Sequence, residues 1–124
     1  MITSLIYIFK RLDDVVDYDS CIFRLMAADV VDMDKVDDMS VFLKTLIAGG
    51  AKKVVVDLKG LEFIDSYGIS VIIEAAKQLR QREGDITLLN VPDRIQKIFQ
   101  PIKLNRFIKI FNNEDEVMSF FKLV

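Results

Sequence analysis

An acidic residue and a hydroxyl residue, Asp65 and Ser66, stand side by side between a strand-like run and a helix-like run. The run before them, Val54–Leu58, is rich in β-branched residues, which is typical of a strand buried on both faces of a parallel sheet. After Gly68 the apolar residues recur every three or four positions, as on the buried face of a helix. Open α/β sheets place their sites at the carboxyl ends of strands, so Ser66 is the first candidate for chemistry.

The hydroxyl of Ser66 has three conceivable roles. As a nucleophile it would need a base, but the chain contains no histidine and no nucleophile-elbow pattern surrounds the serine, so an enzyme is not expected. As a helix cap it would accept a backbone N–H group. As a phosphate acceptor it would gain roughly two negative charges at a place where the helix dipole favours them. Capping and phosphorylation are compatible, and both remain open.

The composition argues against several kinds of site. Without histidine the chain lacks the commonest metal ligand, and its single cysteine, Cys21, excludes an intrachain disulfide. The acidic stretch Asp29–Asp38 has neither the glycine turn nor the glutamate of a calcium loop, and several of its acids are predicted at a helix start. A formal net charge of −2 argues against nucleic acid as the main partner. We therefore expect no metal, no cofactor and no nucleic acid.

The first residues, 1–10, contain the apolar run Leu5–Phe9. This run is too short to span a bilayer, and it lacks the preceding basic residues and the following cleavage site of a signal peptide. The sequence therefore predicts a cytoplasmic protein without membrane insertion. We interpret residues 1–10 as an extra N-terminal strand that covers a sheet edge. Their apolar side chains and the phenylalanine-rich C-terminus are candidates for self-association.

The remaining elements predict a fold of class α/β in a single domain over residues 1–124, with no linker. The run Val15–Tyr18 and the run Cys21–Ala27 are predicted to form an antiparallel hairpin around a turn at Asp19-Ser20. Strands and helices then alternate, which predicts a mixed, mostly parallel β-sheet with about four flanking helices. Apolar periodicity and turn residues predict strands over 54–58, 86–89 and 107–111. They also predict a helix over 36–47 that ends at Gly49-Gly50, a helix from Gly68 to Glu83-Gly84, and a helix between Pro92 and Pro101. A closing helix is predicted after an Asn113–Glu116 capping box.

The segment Phe63-Ile-Asp-Ser-Tyr-Gly-Ile69 carries a resemblance to a known family. It follows Val54–Leu58 and precedes Leu88-Leu-Asn-Val-Pro92 and Phe107-Ile-Lys-Ile110, and this order of elements also agrees. The chain resembles the STAS domain and, more narrowly, the bacterial anti-anti-sigma factors, also called anti-sigma factor antagonists. The resemblance covers most of the chain.

The resemblance implies a protein that acts by binding rather than by catalysis. In that family the serine after the aspartate is phosphorylated by a partner serine kinase, which is also the anti-sigma factor. By resemblance Ser66 is that serine, and Asp65, Tyr67 and Gly68 are its partner-binding neighbours. The unphosphorylated protein would bind the kinase and release a sigma factor, and a phosphatase would restore it after phosphorylation.

Two positions depart from the family pattern. Tyr67 stands where the family often has a small residue, and Ala27–Asp32 replaces a Gly-Glu-aliphatic-Asp segment used in kinase contact. Asp32 is the candidate for the equivalent aspartate and is included among the expected partner-binding residues. These departures leave room for an alternative function. In that case the chain would be a STAS subunit without a switch, docked in a stress-signalling complex or in a lipid or anion transporter module.

Overall fold

The computed structural model of the chain describes residues 4–11, 21–31 and 36–122. Within these ranges the strands are β1 (Ser4–Arg11), β2 (Cys21–Val31), β3 (Lys53–Ile64), β4 (Asp85–Leu89) and β5 (Lys109–Phe111). The helices are α1 (Val36–Ala48), α2 (Ser66–Gln81), α3 (Asp93–Phe99) and α4 (Glu114–Lys122), with a 3₁₀ turn at Leu104–Arg106. Across the described ranges, every helix is too short or too polar to cross a lipid bilayer.

The strands form one sheet in the order β1-β2-β3-β4-β5. β1 runs antiparallel to β2, whereas β2, β3, β4 and β5 are parallel to their neighbours. This arrangement confirms the predicted α/β class and the mixed, mostly parallel sheet with an N-terminal hairpin. Each parallel pair is joined by a helical connection, because parallel neighbours cannot be linked by a tight turn.

The hairpin uses a different first strand from the one predicted. The antiparallel neighbour of β2 is Ser4–Arg11, so the predicted pairing of Val15–Tyr18 with Cys21–Ala27 is wrong. Leu5–Phe9 is an uninterrupted apolar run, whereas an aspartate interrupts the run Val15–Tyr18, so the earlier segment makes the better strand. Residues 4–10 lie in β1 at the edge of the sheet, as the first strand of the hairpin and not as a strand added to it. The predicted turn at Asp19-Ser20 lies outside the described residues.

β3 is longer than the sequence predicted, because β2 extends beside it. The predicted strand ended at residue 58, but Val31 pairs with Ile64 at the end of the parallel ladder, so the stretch 59–64 is also strand. The register shifts between Met26 and Ala28 and again between Asp29 and Val30, and each shift places one extra residue in β3. Such bulges bend a strand and change which face its side chains reach.

The sheet is covered on both faces, and β3 shows the division most clearly. Val54 and Val56 lie in the larger apolar cluster, with the buried faces of α1, α2 and α3. Val55, between them, lies in a smaller cluster with Val117 and Phe121 of α4. Successive strand residues point to opposite faces, so the continuous apolar run predicted as a doubly buried strand is confirmed.

The C-terminal elements agree with the prediction except at the start of β5. The strand was expected from Phe107, but the N–H groups of Phe107 and Ile108 both donate to the carbonyl of Leu104, each at 2.9 Å. These donors are therefore not available to a strand ladder, and β5 begins at Lys109. The cap half of the predicted capping box is confirmed, since Asn113 Oδ1 accepts from the backbone N–H of Glu116 at 2.9 Å. The second bond joins the two side chains, because Asn113 Nδ2 donates to Glu116 Oε1 at 3.0 Å.

Candidate functional site

Ser66 is the first residue of α2 and is exposed to solvent. It follows β3, the middle strand of the sheet, by a single intervening residue, Asp65. Helices α1, α2 and α3 each begin just after a parallel strand, so their N-termini lie along the same edge of the sheet. The sequence therefore placed Ser66 correctly at a carboxyl-end edge, where α/β proteins carry their sites.

The cap of α2 is Asp65 and not Ser66. Asp65 has an extended backbone conformation, and its Oδ1 accepts a hydrogen bond from the N–H of Gly68 at 3.0 Å. The expectation that Ser66 caps the helix is wrong, because Ser66 already has helical geometry and the capping position is the residue before the first turn. Within the described part of the chain the Ser66 hydroxyl has no hydrogen-bond partner. The cap thus leaves the hydroxyl accessible.

The arrangement presents a hydroxyl without activating it. Oδ1 of the neighbouring Asp65 accepts the N–H of Gly68 in the helix cap, and the chain has no histidine to act as a base. An unactivated, exposed serine at the first turn of a helix is suited to receive a group from another protein's active site. A transferred phosphate would lie at the positive end of the α2 dipole, which favours an anion.

Two large aromatic side chains next to Ser66 are exposed. Phe63 is 46% exposed at the end of β3, and Tyr67 is 54% exposed in the first turn of α2. Exposed aromatic groups close to a polar centre are typical of protein–protein contact surfaces. Phe63 is not among the predicted contact residues, because its exposure depends on the bulges in β3. Those bulges arise from the pairing of β3 with β2, so the local sequence of β3 does not predict them.

The other predicted contact residues differ in accessibility. Asp65 is half-buried, whereas Gly68 is buried and donates its N–H to the cap. Gly68 therefore acts from inside the helix start, whereas Glu62, Phe63, Ser66 and Tyr67 are each exposed to solvent. Asp32 lies outside the described residues.

The acidic stretch is dispersed over different elements. Asp29 lies in β2, while Asp37 and Asp38 fall in the first turn of α1, as predicted for acids at a helix start. Among the residues that the structure describes, no three histidine, cysteine, aspartate or glutamate side chains are grouped so as to hold a metal ion.

A groove lies between α1 and α2. Its volume is about 240 Å³, and its lining comes from both helices: Ser40, Leu43, Lys44, Ile47, Ser70, Val71, Glu74, Ala75 and Gln78. We call this feature the α1–α2 groove. No residue motif predicted it, because it depends on how closely the two helices pack.

Comparison with known proteins gives a family and several named relatives. The STAS domain family model matches residues 2–117. A protein of Bordetella bronchiseptica named putative anti-sigma factor antagonist BtrV is 29% identical over 96 residues, which covers 75% of this chain and 80% of the relative. The anti-sigma-B factor antagonist of Listeria monocytogenes is 36% identical over 62 residues, covering 50% of this chain and 54% of the relative. The chain thus matches only about half the length of the Listeria relative, and these names describe regulators rather than enzymes, as predicted.

Solved structures show the same fold. The anti-sigma factor antagonist SpoIIAA in its unphosphorylated form aligns with a TM-score of 0.75 at 17% identity, covering 98% of this chain and 97% of SpoIIAA. The phosphorylated form of SpoIIAA, described as a Bacillus cell fate determinant, aligns with a TM-score of 0.67 at 18% identity, covering 94% of this chain and 96% of SpoIIAA. Both alignments extend over nearly the whole sheet and its helices.

Proposed function

We propose, since this chain belongs to the STAS domain family, that it is an anti-sigma factor antagonist whose binding surface surrounds Ser66. The unphosphorylated protein binds an anti-sigma factor and thereby releases a sigma factor. The anti-sigma factor is also a serine kinase, and it ends the interaction by phosphorylating Ser66. A phosphatase reverses the modification. The names of the Bordetella and Listeria relatives support the antagonist role.

One observation carries the proposal. Ser66 is exposed at the first position of α2, while the neighbouring Asp65 performs the capping that would otherwise occupy the serine hydroxyl. A kinase can therefore approach the hydroxyl without unfolding the helix start. A phosphate bound there also meets a helix end that favours negative charge.

The switch acts through charge at the contact surface. Phosphorylation adds roughly two negative charges and three strong acceptors to a surface that already holds the exposed Glu62 and the half-buried Asp65. A partner that buries this surface must then remove water from a phosphate, next to like charges. A loss of about 3 kcal/mol weakens binding by roughly a hundredfold or more. The aromatic side chains of Phe63 and Tyr67, on either side of Ser66 in sequence, supply the apolar contact area that such a partner would cover.

The first test compares variants of Ser66 as bait. The Ser66→Ala and Ser66→Asp forms are immobilised, and proteins that bind only the alanine form are identified. Each of these binding proteins is then purified and incubated with the wild-type chain and ATP. We expect binding to Ser66→Ala and wild type, at least a hundredfold weaker binding to Ser66→Asp, and phosphate on Ser66 by mass spectrometry. Ser119→Asp is the matched control, because Ser119 is exposed on α4, on the opposite face of the sheet.

Two outcomes would contradict the phosphorylation switch. One is phosphate on another residue while Ser66 stays unmodified. The other is equal binding of Ser66→Asp and Ser66→Ala, which would favour the alternative of a constitutively docked STAS subunit in a larger assembly.

The proposal also places the protein in the cytoplasm, where sigma factors act. Fractionation of the source cells checks this placement.

A further inference from the structure

β5 is the last strand of the sheet, and among the described residues it pairs with β4 alone. The carbonyl of Phe111 accepts the N–H of Asn90, just after β4, at 3.1 Å, so the backbone groups of Phe111 face β4. In a parallel ladder successive residues of a strand bond to opposite sides, so the N–H and C=O of Ile110 face away from β4. Ile110 therefore offers one donor and one acceptor to a further strand.

On the α4 face, this edge of the sheet carries apolar rings and charges of both signs. Lys109 and Phe111 line a shallow cavity that α4 completes with Asp115, Glu116 and Phe120. The rings of Phe111 and Phe120 are half-buried, with centroids 5.7 Å apart, and the lysine and the two acids are exposed. Two carboxylates beside apolar rings suit a lysine, whose stem packs on the rings while its ammonium meets the acids. The cavity therefore favours a basic side chain from an added strand.

On the opposite face, the edge carries neutral amide groups. Gln96 and Gln100 of α3, Asn105 of the 3₁₀ turn and Asn112 line a second cavity together with Ile110. Each amide group contains both a donor and an acceptor, so a cluster of amides can form hydrogen bonds with an identical cluster. The lining of this cavity contains no charged residue, so two such surfaces can approach each other without like-charge repulsion.

A second copy of the chain matches all of these features. If a two-fold axis passes beside Ile110, β5 pairs antiparallel with β5 of the second copy, and the two Ile110 residues exchange both of their backbone hydrogen bonds. Lys109 then lies directly opposite Phe111 of the second copy, because each residue before the axis faces one after it. The ammonium of Lys109 thereby reaches Asp115 and Glu116 of the second copy, and symmetry repeats the contact.

We propose that the chain forms a symmetric homodimer through the β5 edges, in which the two sheets become one continuous sheet. Because β5 has only three residues, side chains rather than backbone bonds decide the affinity. Ser66 follows β3, two strands away from β5, so its surface stays outside the contact. Antiparallel pairing turns the second copy around, so the two Ser66 surfaces face opposite directions and each remains open to its own partner. The inference does not rest on the proposed function.

The test reverses single charges in the full chain and measures the dimer Kd by sedimentation equilibrium. Lys109→Glu places a carboxylate opposite the acids of the second copy and should raise the Kd about tenfold or more. Asp115→Lys places an ammonium opposite Lys109 and should raise it about threefold or more, since Glu116 remains. Lys77→Glu, at an exposed position on α2, makes the same change in net charge as Lys109→Glu and should leave the Kd within about twofold. Circular dichroism checks that each variant is folded.

A mixture of the two β5-edge variants gives the sharpest result. In a heterodimer of Lys109→Glu with Asp115→Lys, one contact joins the two new charges and the other joins the two original ones. We therefore expect the mixture to associate more tightly than either variant alone, and the amide of Ile110 to exchange its hydrogen more slowly in the wild-type dimer than in Lys109→Glu.

Three results would overturn the dimer. The wild-type chain could remain a monomer at every concentration. Lys109→Glu could associate as tightly as wild type, which would place the contact elsewhere, for example at the β1 edge. The mixture could associate no better than its components. None of these measurements includes an anti-sigma factor, so their outcome leaves the Ser66 switch untouched.

Discussion

At the scale of single residues, Asp65 and Ser66 divide two tasks that one serine could have performed. The carboxylate of Asp65 caps α2 through the N–H of Gly68, and Ser66 occupies the first helical position with its hydroxyl in solvent. This division matters for the proposed switch, because a hydroxyl bound in a cap would have to leave the cap before a kinase could modify it.

The capping role of Asp65 gives a prediction about stability. Asp65→Ala removes the acceptor for Gly68 and should lower the free energy of unfolding by about 1 kcal/mol. Asp65→Asn keeps a side-chain oxygen at the same position and should lower it by only about 0.3 kcal/mol, because asparagine and aspartate rank together as caps. Urea unfolding followed by circular dichroism measures both. Equal losses for the two variants would show that the charge of Asp65, rather than its hydrogen bond, stabilises the helix start.

At the scale of elements, a buried arginine joins two strands to the last helix. Arg24 of β2 forms an ion pair with Asp57 of β3, whose side chain is fully buried, and also with Glu114 at the start of α4, at 2.9 Å. The second carboxylate oxygen of Asp57 accepts the N–H of Lys59 at 2.9 Å. These bonds attach α4 to the sheet on the face opposite the α1–α2 groove.

The two carboxylates around Arg24 should differ strongly in their effect on stability. Asp57→Asn leaves a guanidinium that is mostly buried beside a neutral amide, and the free energy of unfolding should fall by about 3 kcal/mol. Glu114→Gln makes the same chemical change at a side chain that is 56% exposed, and the loss should stay below about 1 kcal/mol. Chemical denaturation of both variants gives the comparison. A similar loss at both positions would mean that burial does not control the strength of these pairs.

The connection from α2 to β4 depends on a close approach of two backbones. A Cβ atom at Gly84 would lie 2.1 Å from the carbonyl oxygen of Lys52, whereas a Cβ at Gly50 would meet no atom within 4 Å. The backbone of Lys52, just before β3, would have to move to admit a side chain at position 84. The next residue, Asp85, donates its N–H to the same carbonyl at 2.8 Å.

Alanine substitution at these two glycines should therefore separate crowding from backbone strain. Gly84→Ala should lower the free energy of unfolding by about 3 kcal/mol, the cost of overpacking a closely packed position. Gly50→Ala should cost about 1 kcal/mol, because only its φ of +100° is unfavourable for a side chain. Thermal and urea unfolding of the two variants provide the measurement, and a larger loss at Gly50 would contradict the close contact at Gly84.

At the scale of the whole molecule, the proposed contact surface lies at the carboxyl-end edge of the sheet, while α4 covers the face opposite α1, α2 and α3. Ser66 is exposed and outside both apolar clusters. A charge added at Ser66 therefore meets solvent and the α2 dipole, and it does not enter the core. The switch should change binding and leave the fold as it is.

Phosphorylation of Ser66 should thus leave the stability nearly unchanged. Phosphorylated chain and Ser66→Glu should differ from wild type by less than about 1 kcal/mol in the free energy of unfolding, because a negative charge at a helix N-terminus is mildly favourable. Amide chemical shifts in NMR spectra should change only near the start of α2 and the adjoining end of β3. Shifts throughout the sheet, or a change in unfolding cooperativity, would show a conformational switch instead.

The sequence by itself determined the α/β class, the doubly buried central strand, the position of Ser66 at a helix start and the Asn113 cap of α4. These features follow from local patterns, since apolar periodicity and turn residues act over a few neighbouring positions. Tertiary structure alone decided which segment pairs with β2, how far β3 extends, and that Phe63 is exposed. Strand pairing, bulges and helix packing join residues that are distant in the chain, so no local pattern specifies them.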